Sequence, residues 1–145
     1  MTRNENDVII TVVARVVSPF IMLFALYVIF HGHYSPGGGF QGGTMLAAAV
    51  ILVRLAAGSH LAQKQFPRSW ATPLGSVGVL IYWGTGFAAL LCGGNFLDYK
   101  FLPLGMEAAK TRFFGILSIE IGVGLAVMGI LTAIYDDLLE GDPGD

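Results

Sequence analysis

Four long apolar segments divide this chain, and they restrict its fold more than any other feature. They cover about residues 8–30, 44–62, 74–92 and 113–135. A helix needs about 20 residues to cross a hydrocarbon core of roughly 30 Å, and each segment is close to that length. Because backbone groups in lipid must be paired within the segment, we expect helices rather than open strands. The sequence therefore predicts an all-α integral membrane protein with four transmembrane helices.

The composition agrees with this fold class. Of the 145 residues, 54% are hydrophobic and 12% are charged, whereas a soluble domain usually has about 25% charged residues. The length suits a single membrane domain over residues 1–145, ending in an acidic, solvated tail at 136–145. The net charge of −2 gives no indication of a nucleic-acid partner. One cysteine, Cys92, excludes an internal disulfide and a multi-cysteine metal site.

The distribution of basic residues predicts the orientation. An even number of spans places both termini on the same side as the connection between the second and third helices. That side holds Arg3, Arg54, Lys64 and Arg68, and the other side holds Lys100, Lys110 and Arg112. Since cytoplasmic segments are enriched in lysine and arginine, we expect cytoplasmic termini in a multi-pass protein of a cell membrane.

A glycine-rich segment lies between the first two apolar runs and is predicted to be a loop. An ordinary turn between helices does not need so many glycines, so we expect positive φ angles or close approach to another group. We expect residues 37–39 to exclude side chains with a Cβ, and Phe40 to anchor the loop against apolar partners. The candidate functional residues of this motif are His31, His33, Pro36, Gly37, Gly38, Gly39, Phe40, Gly42 and Gly43.

Metal, nucleotide and catalytic sites are not expected. An isolated His-x-His pair is a weak metal signal, because structural zinc uses four ligands. Capping of a helix end or bonding to loop carbonyls is the better interpretation of His31 and His33. Residues 37–39 are not followed by the Gly-Lys-Ser/Thr of a phosphate-binding loop. Since no serine–histidine, cysteine–histidine or paired-carboxylate set is present, we assign no catalytic residue and no cofactor.

Glu120 is an acidic residue about seven positions into the fourth apolar run. A carboxylate at that depth destabilises the fold by several kcal/mol unless it is protonated, paired or hydrated. Two interpretations remain open. Glu120 either exchanges protons or meets a cation on an ion path, or it forms a structural hydrogen bond to a neighbouring helix.

Small residues form a stripe along the fourth helix. Gly115, Gly122 and Gly129 recur every seven residues and lie on one side, where they allow close helix packing. At about 100° per residue, Glu120 points roughly to the opposite side. Both sides of the helix are therefore predicted to face protein. We expect the chain to pack among helices of partner subunits.

Two motifs in the chain resemble those of one transporter family. The run from Gly32 to Gly43, Gly-His-Tyr-Ser-Pro-Gly-Gly-Gly-Phe-Gln-Gly-Gly, is similar to the G-H-x-x-P-G-G-G-F-x-G-G signature of the MnhB proteins, the B-type components of Mrp (also called Mnh) multisubunit Na⁺/H⁺ antiporters. Residues 120–129 resemble the family's acidic-I-G-V-x-L-A-V-x-G run, although an aspartate is expected where Glu120 stands. The similarity extends across almost the whole chain.

The resemblance implies a non-enzymatic subunit of an antiporter complex in a bacterial or archaeal cell membrane. The implied partners are the other subunits of an Mrp-type complex, the lipid bilayer, and the transported Na⁺ and H⁺. Such a subunit would contribute to assembly and to the ion path. Three alternatives remain: the same module in a membrane-bound group 4 hydrogenase, a structural assembly subunit that conducts nothing, and an independent four-helix exporter.

Overall fold

The architecture consists of four long helices. A computed structural model describes residues 5–34, 36–58, 62–64 and 66–140. The helices are α1 (Glu5–His31), α2 (Gly39–Ala57), α3 (Ala71–Leu91) and α4 (Ala108–Glu140). Short 3₁₀ turns at Arg68–Trp70 and Tyr99–Phe101 precede α3 and α4. All four helices are long and apolar enough to cross a membrane, which confirms the predicted fold class.

Helix α2 begins at Gly39, not near residue 44 as predicted. Gly38 precedes it with a φ of 122° and a ψ of −171°, a backbone region that is essentially restricted to glycine. The N–H of Gly42 then donates to the carbonyl oxygen of Gly38 at 2.9 Å. The predicted loop is therefore wrong over its second half, because Gly39, Phe40, Gly42 and Gly43 lie in the first turns of α2.

The glycines of these first turns let α2 approach two other helices. A Cβ on Gly42 would lie 2.8 Å from the carbonyl oxygen of Ala25 in α1. A Cβ on Gly43 would lie 2.6 Å from the carbonyl oxygen of Gly124 in α4. Larger residues would push the helices apart, as in other small-residue interfaces of membrane helices. The glycine content that predicted a loop therefore serves helix packing.

Other helix ends also differ from the prediction. Helix α2 ends at Ala57, before Gly58 with a φ of 78°, and residues 59–61 lie outside the described part of the chain. Helix α4 extends beyond the predicted 113–135 at both ends. The predicted acidic tail is thus helical from Asp136 to Glu140, and its remaining residues, 141–145, are outside the description.

The helices pack in the order α1, α2, α4, α3, with α4 contacting both α2 and α3 extensively. Two hydroxyl groups of α1 donate to backbone carbonyls of α2. Ser18 donates to Ala49 at 3.1 Å, and Thr11 donates to Ala56 at 2.8 Å. Since α1 packs mainly on α2, helix α4 has α2 on one side and α3 on another.

The glycine stripe of α4 packs within this chain. A Cβ on any of its three glycines would come within 3 Å of a neighbouring atom: at Gly115, the Cβ of Tyr99 (2.8 Å); at Gly122, the oxygen of Gly78 (2.9 Å); at Gly129, the oxygen of Ala71 (2.5 Å). The stripe therefore lies against α3 and the turn before α4. Because another side of α4 faces α2, neither side requires a helix from another protein, contrary to the expectation from sequence.

The outer faces of α1 and α3 are apolar. The exposed large side chains include Ile9, Val13, Val16, Phe20, Leu23, Phe24 and Tyr27 of α1, and Val77, Leu80, Trp83, Phe87 and Leu91 of α3. Contiguous apolar surface of this kind suits lipid or another hydrophobic helix rather than water. Together with the four spans, it identifies an integral membrane protein.

Candidate functional site

Glu120 and the glycine motif form one site. The backbone N–H of Gly39, 81 residues away in the chain, donates a hydrogen bond to the Glu120 Oε2 atom. Two more glycines lie against the carboxylate. A Cβ on Gly32 would be 3.1 Å from Oε1, and a Cβ on Gly38 would be 2.7 Å from Oε2. The structure thus brings together two features that the sequence presents separately.

The start of α2 provides a favourable environment for this carboxylate. The first N–H groups of a helix have no acceptor within the helix. The N-cap residue, Gly38, has no side chain that could accept from them. Glu120 supplies the missing acceptor from α4, and the partial positive charge of a helix N-terminus attracts its negative charge. The geometry therefore favours an ionised Glu120 that links α4 to α2.

Tyr99 borders the site from the turn before α4. Its side chain packs against Gly115. Burial raises the pKa of the Tyr99 hydroxyl above its usual value, and the negative charges of Tyr82 and Glu120 raise it further. The phenol consequently keeps its proton at neutral pH and is available as a hydrogen-bond donor near Glu120.

The two histidines of the motif have different surroundings. The ring of His31 stacks on Tyr27 at 4.2 Å, and its Nδ1 atom lies 3.2 Å from the Tyr27 carbonyl oxygen. The ring of His33 meets Phe113 of α4 edge-on at 4.7 Å. Its ring nitrogens are buried without a hydrogen-bond partner among the described residues. Within that part of the chain, no group of three or more histidine, cysteine or acidic side chains is arranged to hold a metal.

The remaining motif residues lie away from the carboxylate. Pro36 is exposed. Gly37 packs on α1, where an added Cβ would lie 3.1 Å from the Val28 Cγ1 atom. Phe40 is 63% exposed on the outer face of α2. It therefore does not anchor the segment inside this chain, and its ring faces lipid or another hydrophobic surface.

A second polar link joins α2 to α4 and was not predicted. The Arg54 Nη1 atom forms an ion pair with the Asp136 Oδ1 atom, and the side chains are only 2% and 8% exposed. The Arg54 Nη2 atom also donates to the carbonyl oxygen of Phe66 at 3.1 Å. The assignment of Asp136 to a solvated tail is therefore wrong. The neighbouring Asp137 does fit it, being 76% exposed in its ion pair with Arg68.

Two sequence signals could have indicated this pair. A single arginine inside an apolar span usually has a partner, and Arg54 is such a residue. Thr132 and Asp136 are four residues apart, so they share one face of a continuous helix. Both are buried. The apolar run ends before the helix does, and for that reason hydropathy alone placed Asp136 outside the fold.

Comparison with known proteins identifies the family. A protein-family model described as a domain related to the MnhB subunit of Na⁺/H⁺ antiporter matches residues 9–133. This chain belongs to the MnhB family. The corresponding B-type antiporter protein of Alkalihalophilus pseudofirmus, named for a Na⁺/H⁺ antiporter, is 35% identical over 143 residues, covering 96% of this chain and 96% of that protein. Its namesake in Bacillus subtilis is 31% identical over 142 residues, covering 95% and 96%.

These comparisons confirm the family that the two motifs suggested. The region that matches the MnhB model contains Gly39 and Glu120, so the whole carboxylate site lies inside the MnhB domain. Arg54 lies in it as well, and Asp136 follows three residues after its end.

Proposed function

We propose that this MnhB-family chain is a membrane subunit of a multisubunit Na⁺/H⁺ antiporter complex, with Glu120 on the ion path. The observation behind the ion-path role is a carboxylate held within a membrane-spanning helix by the first amide of another helix. The two relatives named as Na⁺/H⁺ antiporter components support the placement in such a complex.

Protonation of Glu120 would alter the contact between α2 and α4. The ionised carboxylate accepts a charge-assisted hydrogen bond from Gly39 and is attracted by the helix N-terminus. The neutral acid loses that attraction, so uptake of a proton weakens the link between the helices. Glu120 is only partly buried, which leaves its carboxylate accessible to an ion at the surface of the protein. Proton occupancy and helix contact would therefore change together.

The positions of the acidic groups support a subunit rather than a complete transporter. Within the described spans, the buried or partly buried acidic side chains are Glu120 and Asp136, which lie near opposite ends of α4. About 24 Å separates them along the helix at roughly 1.5 Å per residue. An ion crossing the membrane would need further polar groups between them, and in this proposal other subunits provide those groups.

Replacement of Glu120 by glutamine tests the ion-path role. The Glu120→Gln side chain keeps its size and an oxygen that can accept from Gly39, but it cannot titrate. We expect normal assembly of the complex and loss of Na⁺-dependent proton flux in vesicles with matched amounts of complex. The control is Glu107→Gln, because Glu107 is an exposed glutamate just before α4. Unchanged flux and an unchanged pH profile in Glu120→Gln would reduce Glu120 to a structural cap.

A shorter carboxylate gives a second, graded test. Glu120→Asp keeps a titratable group but withdraws it from the Gly39 amide by about one methylene. We expect this variant to retain more flux than Glu120→Gln, with a shifted pH profile, because the helix N-terminus then stabilises the charge less. The same vesicle assay over a range of pH values measures the shift.

The proposed location is the cell membrane of a bacterium or archaeon, with cytoplasmic termini. Support comes from the basic residues Arg54, Lys64 and Arg68, which lie at the same end of the spans as the termini. The other end holds the glycine motif and Glu120, so in this orientation the carboxylate site lies toward the outside of the cell.

A further inference from the structure

Helices α2 and α4 are antiparallel and have a polar link near each end of their interface. At one end, Gly39 donates to Glu120. At the other end, Arg54 pairs with Asp136. The two links are separated by 15 residues of α2 and 16 residues of α4, or about 22 and 24 Å at 1.5 Å per residue. The two helices therefore match in length between the links.

The surface between the links is built mainly from small and smooth side chains. The buried residues of α2 in this stretch include Gly42, Gly43, Ala47 and Ala49, and Gly43 packs directly on the backbone of Gly124. Small residues allow close approach, but they interlock less than large ones and leave the axial position of one helix on the other weakly defined. A shift of one residue would move the start of α2 by about 1.5 Å and turn it by about 100°. That shift would take the Gly39 amide away from Glu120.

The Arg54–Asp136 pair is poorly suited to a purely stabilising role. Both side chains are almost completely buried. The Arg54 Nε and Asp136 Oδ2 atoms have no hydrogen-bond partner among the residues that the structure describes. Removing two charges from water is costly, and a well-packed apolar pair is often at least as stable. An ion pair differs from an apolar pair in requiring one particular alignment of its helices.

We infer that Arg54 and Asp136 are positioning residues that set the register of α2 on α4 and so hold the Gly39 amide against Glu120. The pair acts over the length of both helices, without touching the carboxylate site. The consequence for transport rests on the proposed ion-path role of Glu120. The consequence for helix register does not, and it is tested by a separate measurement.

The chain contains a matched control pair. Arg68 and Asp137 form an ion pair of 2.9 Å, with side chains that are 31% and 76% exposed. Exposed pairs contribute little because water and salt screen them. Asp137 is also the direct neighbour of Asp136, so Asp137→Asn makes the same chemical change one residue further along α4. It should not affect the register.

Hydrogen–deuterium exchange of the purified complex tests the inference. In Asp136→Asn, we expect the peptide covering residues 39–46 to exchange about tenfold faster, a factor equivalent to roughly 1.4 kcal/mol of local stability. This peptide lies at the far end of α2 from the substitution. Asp137→Asn should leave its exchange unchanged. Faster exchange confined to the neighbourhood of residue 54 would overturn the inference.

A second variant covers the case in which Asp136→Asn does not assemble, since it leaves a buried guanidinium unpaired. The double variant Arg54→Met/Asp136→Leu removes both charges and fills a similar volume, so it should assemble. It should still exchange faster over residues 39–46. Wild-type exchange there would show that the pair does not set the register. The exchanged pair Arg54→Asp/Asp136→Arg should bring the rate back toward wild type, and no recovery would count against the inference.

Flux measurements on the same samples separate this inference from the proposed function. Full flux in Glu120→Gln would remove the ion-path role, and the exchange data would still decide whether the pair sets the register. If Glu120→Gln is inactive, the double variant should shift the pH profile in the same direction as Glu120→Asp. An unshifted profile despite faster exchange would overturn the link between the register and the carboxylate site.

Discussion

At the scale of single residues, Glu120 caps a helix to which it does not belong. The sequence identifies Glu120 as significant, because an acidic residue in an apolar run must have a partner. It does not identify Gly39 as that partner. The contact is made by a backbone amide 81 residues away, and a backbone amide leaves no trace in a pattern of side chains. Glycine density only indicated that some group approaches closely.

Gly38→Ala should destabilise the site for two reasons. The backbone of Gly38 is in a region essentially restricted to glycine, where another residue has a strain of about 1–3 kcal/mol. Its new Cβ would also lie 2.7 Å from the Glu120 carboxylate. We expect a lower unfolding temperature of the purified complex and a reduced flux.

Two further variants separate these reasons. Gly58 has a φ of 78° but nothing within 4 Å of an added Cβ, so Gly58→Ala reports strain without a close contact and should be milder. In Gly38→Ala/Glu120→Asp, the shorter acid should restore part of the unfolding temperature. If the double variant is no better than Gly38→Ala, the contact with the carboxylate is unimportant.

Tyr99 should make the protein sensitive to alkaline pH. Its pKa is raised in the folded state, mainly by burial. The unfolded chain therefore loses this proton first, and folding stability falls as the pH rises above the ordinary tyrosine value of about 10. Between about pH 8 and pH 11, a range that brackets this value, Tyr99→Phe should lose less thermal stability than wild type. Tyr34→Phe, at a side chain that is 78% exposed, should follow wild type. Equal losses in all three proteins would contradict the assignment.

At the scale of helices, hydropathy located all four spans but not where the helices end. A hydropathy pattern reports where the lipid begins, whereas a helix continues until its backbone is interrupted. Helix α4 therefore runs past the apolar segment to Glu140. Conversely, Gly39 and Gly43 looked like loop residues because glycine is a poor helix former. Close contacts with neighbouring helices outweigh that preference, and such contacts cannot be read from one segment alone.

Gly122→Leu should separate α3 from α4. A Cβ on Gly122 would lie 2.9 Å from the carbonyl oxygen of Gly78, and overpacking of this kind typically destabilises by about 1–3 kcal/mol. We expect a lower unfolding temperature and less of the protein in the membrane, caused by a defect within this chain. Gly84→Leu is the control, because nothing lies within 4 Å of a Cβ at Gly84 in α3. Equal amounts of the two variants would show that close packing at Gly122 is not required.

At the scale of the whole molecule, helix order places α4 between α2 and α3, with α1 on the far side of α2. The chain satisfies both sides of its most glycine-rich helix internally. Composition was sufficient to predict membrane integration. The order of the helices was not predictable, since small-residue stripes show that a helix packs closely but not against which partner.

Labelling of the single cysteine tests the orientation. Cys92 is exposed and follows the end of α3, so cytoplasmic termini place it outside the cell. A membrane-impermeant maleimide should label it in intact cells. In a Cys92→Ser background, Lys64→Cys should react only after permeabilisation, because residue 64 is exposed on the opposite side. The reverse pattern would invert the topology.

The cap on α2 also has a consequence for biogenesis. The chain emerges from the ribosome with α2 well ahead of α4, so the first amide of α2 has no acceptor when that helix enters the membrane. Its acceptor, Glu120, arrives 81 residues later. The first turn of α2 is therefore completed only after the last helix has been inserted, and maturation of the protein includes a late step in which the final helix docks onto the second.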